Sequence, residues 1–152
     1  MIDSGLTAKQ ATDFINRAKN AKTNAEKGII GEEYMDTVMK NKGYEKLDSK
    51  VEGNHGIDGI YVKRNSKGEI TDLVIGEAKF GSSRLNKDTS MGEQMSNSWI
   101  ENNINKLNNI ETKNELLRYI DEYNNYTAMI FRIKTSGYSN IKSRNNRKKE
   151  YN

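Results

Sequence analysis

The sequence predicts an α/β or α+β domain in which a small, mixed central β-sheet is flanked by helices. Near the beginning of the chain, apolar residues recur three and four positions apart, which is the spacing of amphipathic helices. From about residue 44 the pattern changes to short apolar runs separated by Gly- and Asn-rich turns, which is typical of strands. Helical spacing then returns and is followed by one more strand-like run. At 152 residues, this order of elements fits a single domain.

Two helices are expected at the N-terminal end. Thr7 is a suitable N-cap for a helix that extends to Lys27, and a second helical segment covers residues 29–42. Gly43 then stands where a glycine typically ends a helix. The sequence leaves open whether the glycines between the two segments break the run or only bend it.

Three strands are predicted next, over residues 44–51, 57–63 and 70–80. Residues 65–68 (Asn-Ser-Lys-Gly) form a typical hairpin turn between the second and third strands. Helical spacing resumes at Glu93, and later residues predict another helix and a final strand. The predicted organisation is an N-terminal helical segment (1–27), a core (28–134) that ends with a helix over 115–123 and a strand over 127–134, and a basic tail (135–152).

The composition excludes several kinds of chemistry. The chain has no Cys and one His, which excludes disulfides, Cys-based zinc sites, thiol nucleophiles and sites with several His ligands. Any bound metal must therefore be held by oxygen atoms. No run approaches the roughly 18 apolar residues of a membrane span, so no membrane-spanning segment is expected. The net charge of +4 and a basic C-terminal stretch weakly favour a polyanionic partner.

Charged residues with catalytic potential are concentrated in the predicted hairpin. Asp58 opens its first strand and Glu77 lies near the end of its second strand, so an antiparallel hairpin brings both to the same end of the sheet. Lys79 lies two residues after Glu77, so both side chains leave one face of the strand. Two carboxylates and an ammonium group that meet around a divalent cation can hydrolyse a phosphodiester, because the cation polarises the phosphate and acidifies a water.

A further carboxylate is available on the second predicted helix. Glu32 follows Gly31, where the backbone can approach the sheet closely, whereas Glu33 faces about 100° away around the helix. Only one of the two acids can therefore point toward the sheet. Oxygen ligands favour a hard cation, Mg²⁺ or Mn²⁺, with Zn²⁺ as a less favoured alternative.

These residues, taken with their spacing, resemble the PD-(D/E)XK nuclease superfamily. The resemblance is carried by Gly31-Glu32, Ile57-Asp58 and Glu77-Ala78-Lys79, and it covers residues 28–134. It implies a restriction-endonuclease-like core in which Glu32, Asp58 and Glu77 bind the ion together with the carbonyl oxygen of Ala78. Lys79 would activate or position the attacking water. Ile57 stands where the nominal motif has proline, a position that varies widely in the superfamily.

A narrower resemblance adds Gln94-Met95-Ser96 and Trp99-Ile100 to these motifs. The pattern is similar to nuclease domains at the C-terminus of bacterial contact-dependent growth inhibition (CdiA-type) and other polymorphic toxins. It implies a DNase that is delivered by a larger secreted or cell-surface effector and acts in the cytoplasm of the target cell. It also implies a cognate immunity protein, which we expect to be acidic because opposite charge speeds capture of a basic, substrate-binding face.

Several alternatives stay open at the level of sequence. Gln94 either contacts the scissile phosphate or the water near Lys79, or is an exposed polar residue. The same scaffold could carry an RNase or tRNase, or a repair or restriction nuclease. A nucleic-acid-binding module without catalysis, in which the acids are structural, is the alternative from another class.

Overall fold

The computed structural model describes residues 5–49, 56–136 and 139–147. Within this part of the chain, four helices flank a five-stranded mixed sheet, which confirms the α+β class. The elements are α1 (Ala8–Asn20), α2 (Asn24–Asn41), β1 (Glu45–Leu47), β2 (Gly59–Arg64), β3 (Ile70–Phe80), α3 (Asn97–Asn105), α4 (Ile110–Tyr123), β4 (Tyr126–Ile133) and β5 (Ser139–Arg147). None of these helices combines the length and apolarity needed to cross a bilayer.

The strands lie in the order in which they occur along the chain, from β1 to β5. Neighbouring strands are antiparallel except β3 and β4, which are parallel. Parallel neighbours need a crossover, and α3 and α4 supply it. The predicted hairpin is confirmed as β2–β3, and β3 has the bounds that the sequence predicted.

The predicted first helix, residues 7–27, is wrong at its C-terminal end. Helix α1 ends at Asn20, and Thr23 caps a new helix through a capping box with Glu26. The two hydrogen bonds of the capping box satisfy backbone N–H groups that the carbonyls of a preceding turn would satisfy in a continuous helix. The chain can therefore turn here. Gly28 lies inside α2, so the predicted boundary between residues 27 and 28 does not coincide with a helix end. The capping of α1 by Thr7 is confirmed.

The predicted basic tail contains a strand that the sequence did not indicate. Strand β5 pairs antiparallel with β4, and Ile141 lies opposite Phe131. Residues 139–147 contain only one large apolar side chain, so their strand conformation depends on the backbone ladder with β4 rather than on a local apolar pattern. Strand β1 is shorter than the predicted 44–51; residues 50 and 51 lie outside the described residues.

Each face of the sheet packs against a different pair of helices. Helices α1 and α2 cover one face, where Tyr34, Met35 and Val38 pack with Tyr61 and Phe131. Helices α3 and α4 cover part of the other face through a second cluster that includes Ile60, Ile75, Trp99, Ile104 and Leu116. Because strand side chains alternate between faces, the residues of β3 divide between the two clusters.

A pair of glycines brings β2, β3 and α2 close together. Gly59 lies opposite Gly76 in the β2–β3 ladder, and the ring of Tyr61 fills the space beside both. A Cβ atom on Gly59 would lie 2.6 Å from this ring, and one on Gly76 would lie 2.7 Å from the Met35 sulfur. The Tyr61 hydroxyl donates a 2.5 Å hydrogen bond to Asp36 on α2, which holds the ring in place.

We expect Gly59→Ala to destabilise the protein by about 1–3 kcal/mol, the usual cost of an overpacked core. The new methyl group would collide with the fixed Tyr61 ring. Urea denaturation measures the change. The matched control is Gly28→Ala on α2, because a Cβ atom added there would have no neighbouring atom within 4 Å. Alanine also favours the helical conformation over glycine by about 0.5–1 kcal/mol. If both variants change the free energy of unfolding equally, the glycine pair does not constrain the sheet.

Candidate functional site

The two hairpin carboxylates meet at one end of the sheet, as the sequence predicted. Asp58 directly precedes β2, and Glu77 follows Gly76 in β3. Since Gly59 pairs with Gly76, continuing the antiparallel register places Asp58 opposite Glu77. The Asp58 side chain also accepts a 3.0 Å hydrogen bond from the backbone N–H of Ala78. This bond fixes one carboxylate against the strand that carries the other.

Glu77 is an acidic side chain in an unfavourable environment. Its side chain is only 5% exposed, and its Oε1 atom is buried without a hydrogen-bond partner. Burial, and next the negative charge of Asp58, raise the pKa of Glu77 to about 9, although the Lys79 ammonium acts in the opposite direction. A buried group of this kind lowers stability, so its presence needs a reason other than folding.

Lys79 lies on the same face of β3 as Glu77, which confirms the prediction from strand alternation. Its Nζ atom lies 3.8 Å from Glu77 Oε2, at the outer limit of an ion pair. The Lys79 side chain is 16% exposed, so it connects the buried carboxylate with the surface. An ammonium group in this position can stabilise negative charge that develops beside Glu77.

Gln94 contacts the site through Glu77, a role that the sequence did not indicate. Its side-chain amide donates a 2.7 Å hydrogen bond to Glu77 Oε2, and its side-chain oxygen accepts one from the backbone N–H of Asn86 at 3.0 Å. It lies before α3, whose N-cap is Ser96, rather than in the helix. The next residue, Met95, has a φ of 69° and is fully buried. This left-handed turn buries Met95 in the core while Gln94 points to Glu77.

Glu32 takes part in the site through its charge. Helix α2 crosses β3 at Gly31, where an added Cβ would lie 3.7 Å from that of Ala78, so the predicted close approach is confirmed. Glu32 is half-buried, and its charge makes the smallest of the contributions that raise the pKa of Glu77. Its neighbour Glu33 is exposed and forms a 2.5 Å ion pair with Arg17 on α1. Of the two acids, Glu32 is the more buried and is the one whose charge acts on Glu77.

The donor chemistry of the site suits a hard divalent cation, but no complete ligand cage is formed. In the described part of the chain, no three acidic or His side chains are arranged to hold a metal ion. Asp58 and Glu77 supply adjacent carboxylates, and the unpaired Glu77 Oε1 is an atom that a cation would satisfy. The ligand set that includes Glu32 and the Ala78 carbonyl stays a prediction.

Comparison with known proteins finds no matching family model, no similar curated protein and no similar solved structure. The resemblance to PD-(D/E)XK nucleases therefore depends on the sequence motifs described above. The structure adds the fold and the positions of four side chains to these motifs: Asp58, Glu77, Lys79 and Gln94.

We expect Glu77→Gln to stabilise the metal-free protein, increasingly as pH rises. Between the ordinary pKa of 4.5 and about 9, the unfolded chain releases a proton that folded Glu77 keeps, so wild-type stability falls through this range. The gain should reach about 1–3 kcal/mol at pH 8, the order of magnitude by which one carboxyl group with a strongly shifted pKa changes stability. Urea denaturation in EDTA from pH 5 to pH 9 provides the measurement.

The matched control for this experiment is Glu33→Gln, which removes an exposed carboxylate that pairs with Arg17. Its effect should be small and nearly constant between pH 5 and pH 9, because surface ion pairs contribute about 0–1 kcal/mol. A Glu77→Gln variant that is less stable than wild type at pH 8 would contradict the argument that this carboxylate is strained.

Proposed function

We propose that this protein is a metal-dependent nuclease that hydrolyses phosphodiester bonds of DNA. The observation that carries the proposal is the Glu77 carboxylate, which is buried beside Asp58 with one oxygen unpaired and with Lys79 at its outer side. A structural role alone does not account for this arrangement, because burying a carboxyl group with an unpaired oxygen beside a second carboxyl group costs stability. The choice of DNA follows the sequence resemblance.

In this proposal Asp58 and Glu77 hold the cation, with Glu32 and the Ala78 carbonyl oxygen as additional ligands. A bound Mg²⁺ or Mn²⁺ would polarise the phosphate and acidify a water molecule. The hydrogen bond from Ala78 N–H orients Asp58, and the amide of Gln94 orients Glu77 through its Oε2 atom. This leaves Glu77 Oε1 for the cation. Gln94 is therefore a positioning residue.

Lys79 is proposed to act on the reacting groups. Its ammonium group lies beyond Glu77 Oε2, where it can orient the attacking water or stabilise the negative charge of the transition state. Because Lys79 is partly exposed and Glu77 is buried, substrate would approach from the side of Lys79.

We expect Asp58→Asn and Lys79→Ala each to lower the cleavage rate at least about 10²-fold, the typical cost of one lost transition-state contact. Asparagine keeps an oxygen that can accept the hydrogen bond from Ala78, so its loss of activity would reflect the lost charge. The assay follows relaxation and linearisation of supercoiled plasmid in Mg²⁺, in Mn²⁺ and in EDTA, with tRNA as a parallel substrate.

Lys67→Ala is the control, because Lys67 is an exposed lysine in the turn at the opposite end of the β2–β3 hairpin. It should cleave like wild type. Cleavage that persists in EDTA, or in either site variant, would contradict the proposed mechanism. Cleavage of tRNA alone would replace DNA by RNA as the substrate.

We further propose that the protein acts as an antibacterial toxin that a cognate acidic immunity protein neutralises. This part is supported by the sequence resemblance and by the net charge of +4, which favours an acidic inhibitor.

Induced expression of the wild-type chain in a bacterial host without the immunity protein should stop growth, whereas Asp58→Asn should be tolerated at the same expression level. Co-expression of the immunity protein, which we expect to be acidic and to be encoded just downstream, should restore growth. Colony counts and plasmid integrity after induction provide the measurement. Equal growth with wild type and Asp58→Asn would contradict the toxin proposal.

A further inference from the structure

Strand β5 extends the face of the sheet that carries Glu77. In the sheet register Glu77 lies beside Ile130 of β4, and Ile130 lies opposite Lys142 of β5. Residues that are paired across neighbouring strands project from the same face. Lys142 therefore leaves the sheet on the same side as Glu77, two strands away, which corresponds to roughly 10 Å at about 4.8 Å per strand.

A second row lies beside the first and is also polar. Lys79 lies beside Arg132 of β4, and Arg132 lies opposite Asn140 of β5. The Arg132 guanidinium donates a 2.6 Å hydrogen bond to the carbonyl oxygen of Gly81, which holds the group at the end of β3. This bond uses one of the five N–H donors of arginine. We refer to Arg132, Asn140 and Lys142 as the β4–β5 platform.

The platform lies where helices α3 and α4 no longer cover the sheet. On this face Tyr126 and Ala128 of β4 are buried in the cluster formed with α3 and α4. Further along β4, Ile130 and Arg132 are only half-buried, and Lys142 of β5 is exposed. The opposite face offers no such opening at this level, because Phe131 and Ile133 are buried in the cluster formed with α1 and α2.

We propose that the β4–β5 platform binds the phosphate backbone of the DNA strand that is cut, to one side of the scissile bond. This inference rests on the proposed nuclease function, because it extends the same site. Lysine and arginine side chains bind phosphate by charge and hydrogen bonds, and asparagine can donate to a phosphate oxygen. At roughly 10 Å from Glu77, Lys142 can reach a neighbouring phosphate of the strand whose scissile phosphate lies beside Glu77.

The platform also gives the substrate a direction. The site carboxylates lie at the β2–β3 end of this face, and Lys142 lies on the far side of β4. The strand would cross the sheet from β3 to β5, over Ile130, which offers an apolar contact for the sugar. Since β5 forms an edge of the sheet, the strand can continue beyond it without meeting another element of the described chain.

The test measures binding separately from cleavage. Binding of a fluorescein-labelled 30-base-pair DNA duplex is followed by anisotropy in EDTA, at several salt concentrations. Lys142→Ala should weaken binding about tenfold at 0.1 M salt and lower the slope of log affinity against log salt by about one, because one phosphate contact is lost. Lys67→Ala, which removes an exposed lysine far from the platform, should change neither quantity by more than about twofold.

The plasmid cleavage assay, run on the same proteins, separates this inference from the proposed function. If wild type cleaves DNA but Lys142→Ala binds with unchanged affinity and salt slope, the proposed role of the platform is wrong and the proposed nuclease function is retained. If Lys142→Ala weakens binding as expected but wild type cleaves no substrate, the proposed role of the platform is retained and the proposed nuclease function is wrong. An equal loss in Lys67→Ala would show general charge attraction and would overturn the platform, as would tight binding of tRNA with none of duplex DNA.

Discussion

The packing of Tyr61 against the Gly59–Gly76 pair is the constraint on which the candidate site depends. The two glycines leave room for the ring between β2, β3 and α2, and a side chain at either position would push these elements apart. The same pairing fixes the register of the hairpin. A shift of one residue would move Glu77 to the opposite face of the sheet, away from Asp58.

The site that this register creates is unfavourable for folding. Glu77 is buried beside Asp58, with one oxygen unpaired. The surrounding contacts hold it there: Asp58 is fixed by the Ala78 N–H, and Glu77 itself is held by Gln94. Gln94 is in turn fixed to Asn86 and follows the direction set by the strained backbone of Met95. Such preorganisation of charged groups is what a cation and a phosphodiester would require.

Local patterns predicted much of the fold and of the site. The strand predicted over residues 70–80 has these bounds in the structure, and the spacing of Glu77 and Lys79 placed both on one face. The hairpin turn brought Asp58 to Glu77. Where a competing local signal was present, the prediction failed. The helix that was predicted to extend to Lys27 ends at Asn20, and the Thr23 capping box begins a new helix. The contact of Gln94 with Glu77 could not be predicted, because a loop with a left-handed methionine determines it.

The sequence by itself determined the class of the fold, the hairpin and the identity of the charged residues, because these follow from the spacing of side chains along one or two adjacent elements. Only the tertiary structure decided that residues 139–147 form the fifth strand, since their order comes from backbone hydrogen bonds to β4 and not from their own apolar pattern. It also decided which basic side chains share a face with Glu77. Lys142 is 65 positions from Glu77 in the chain, and the pairing of three strands brings the two within roughly 10 Å.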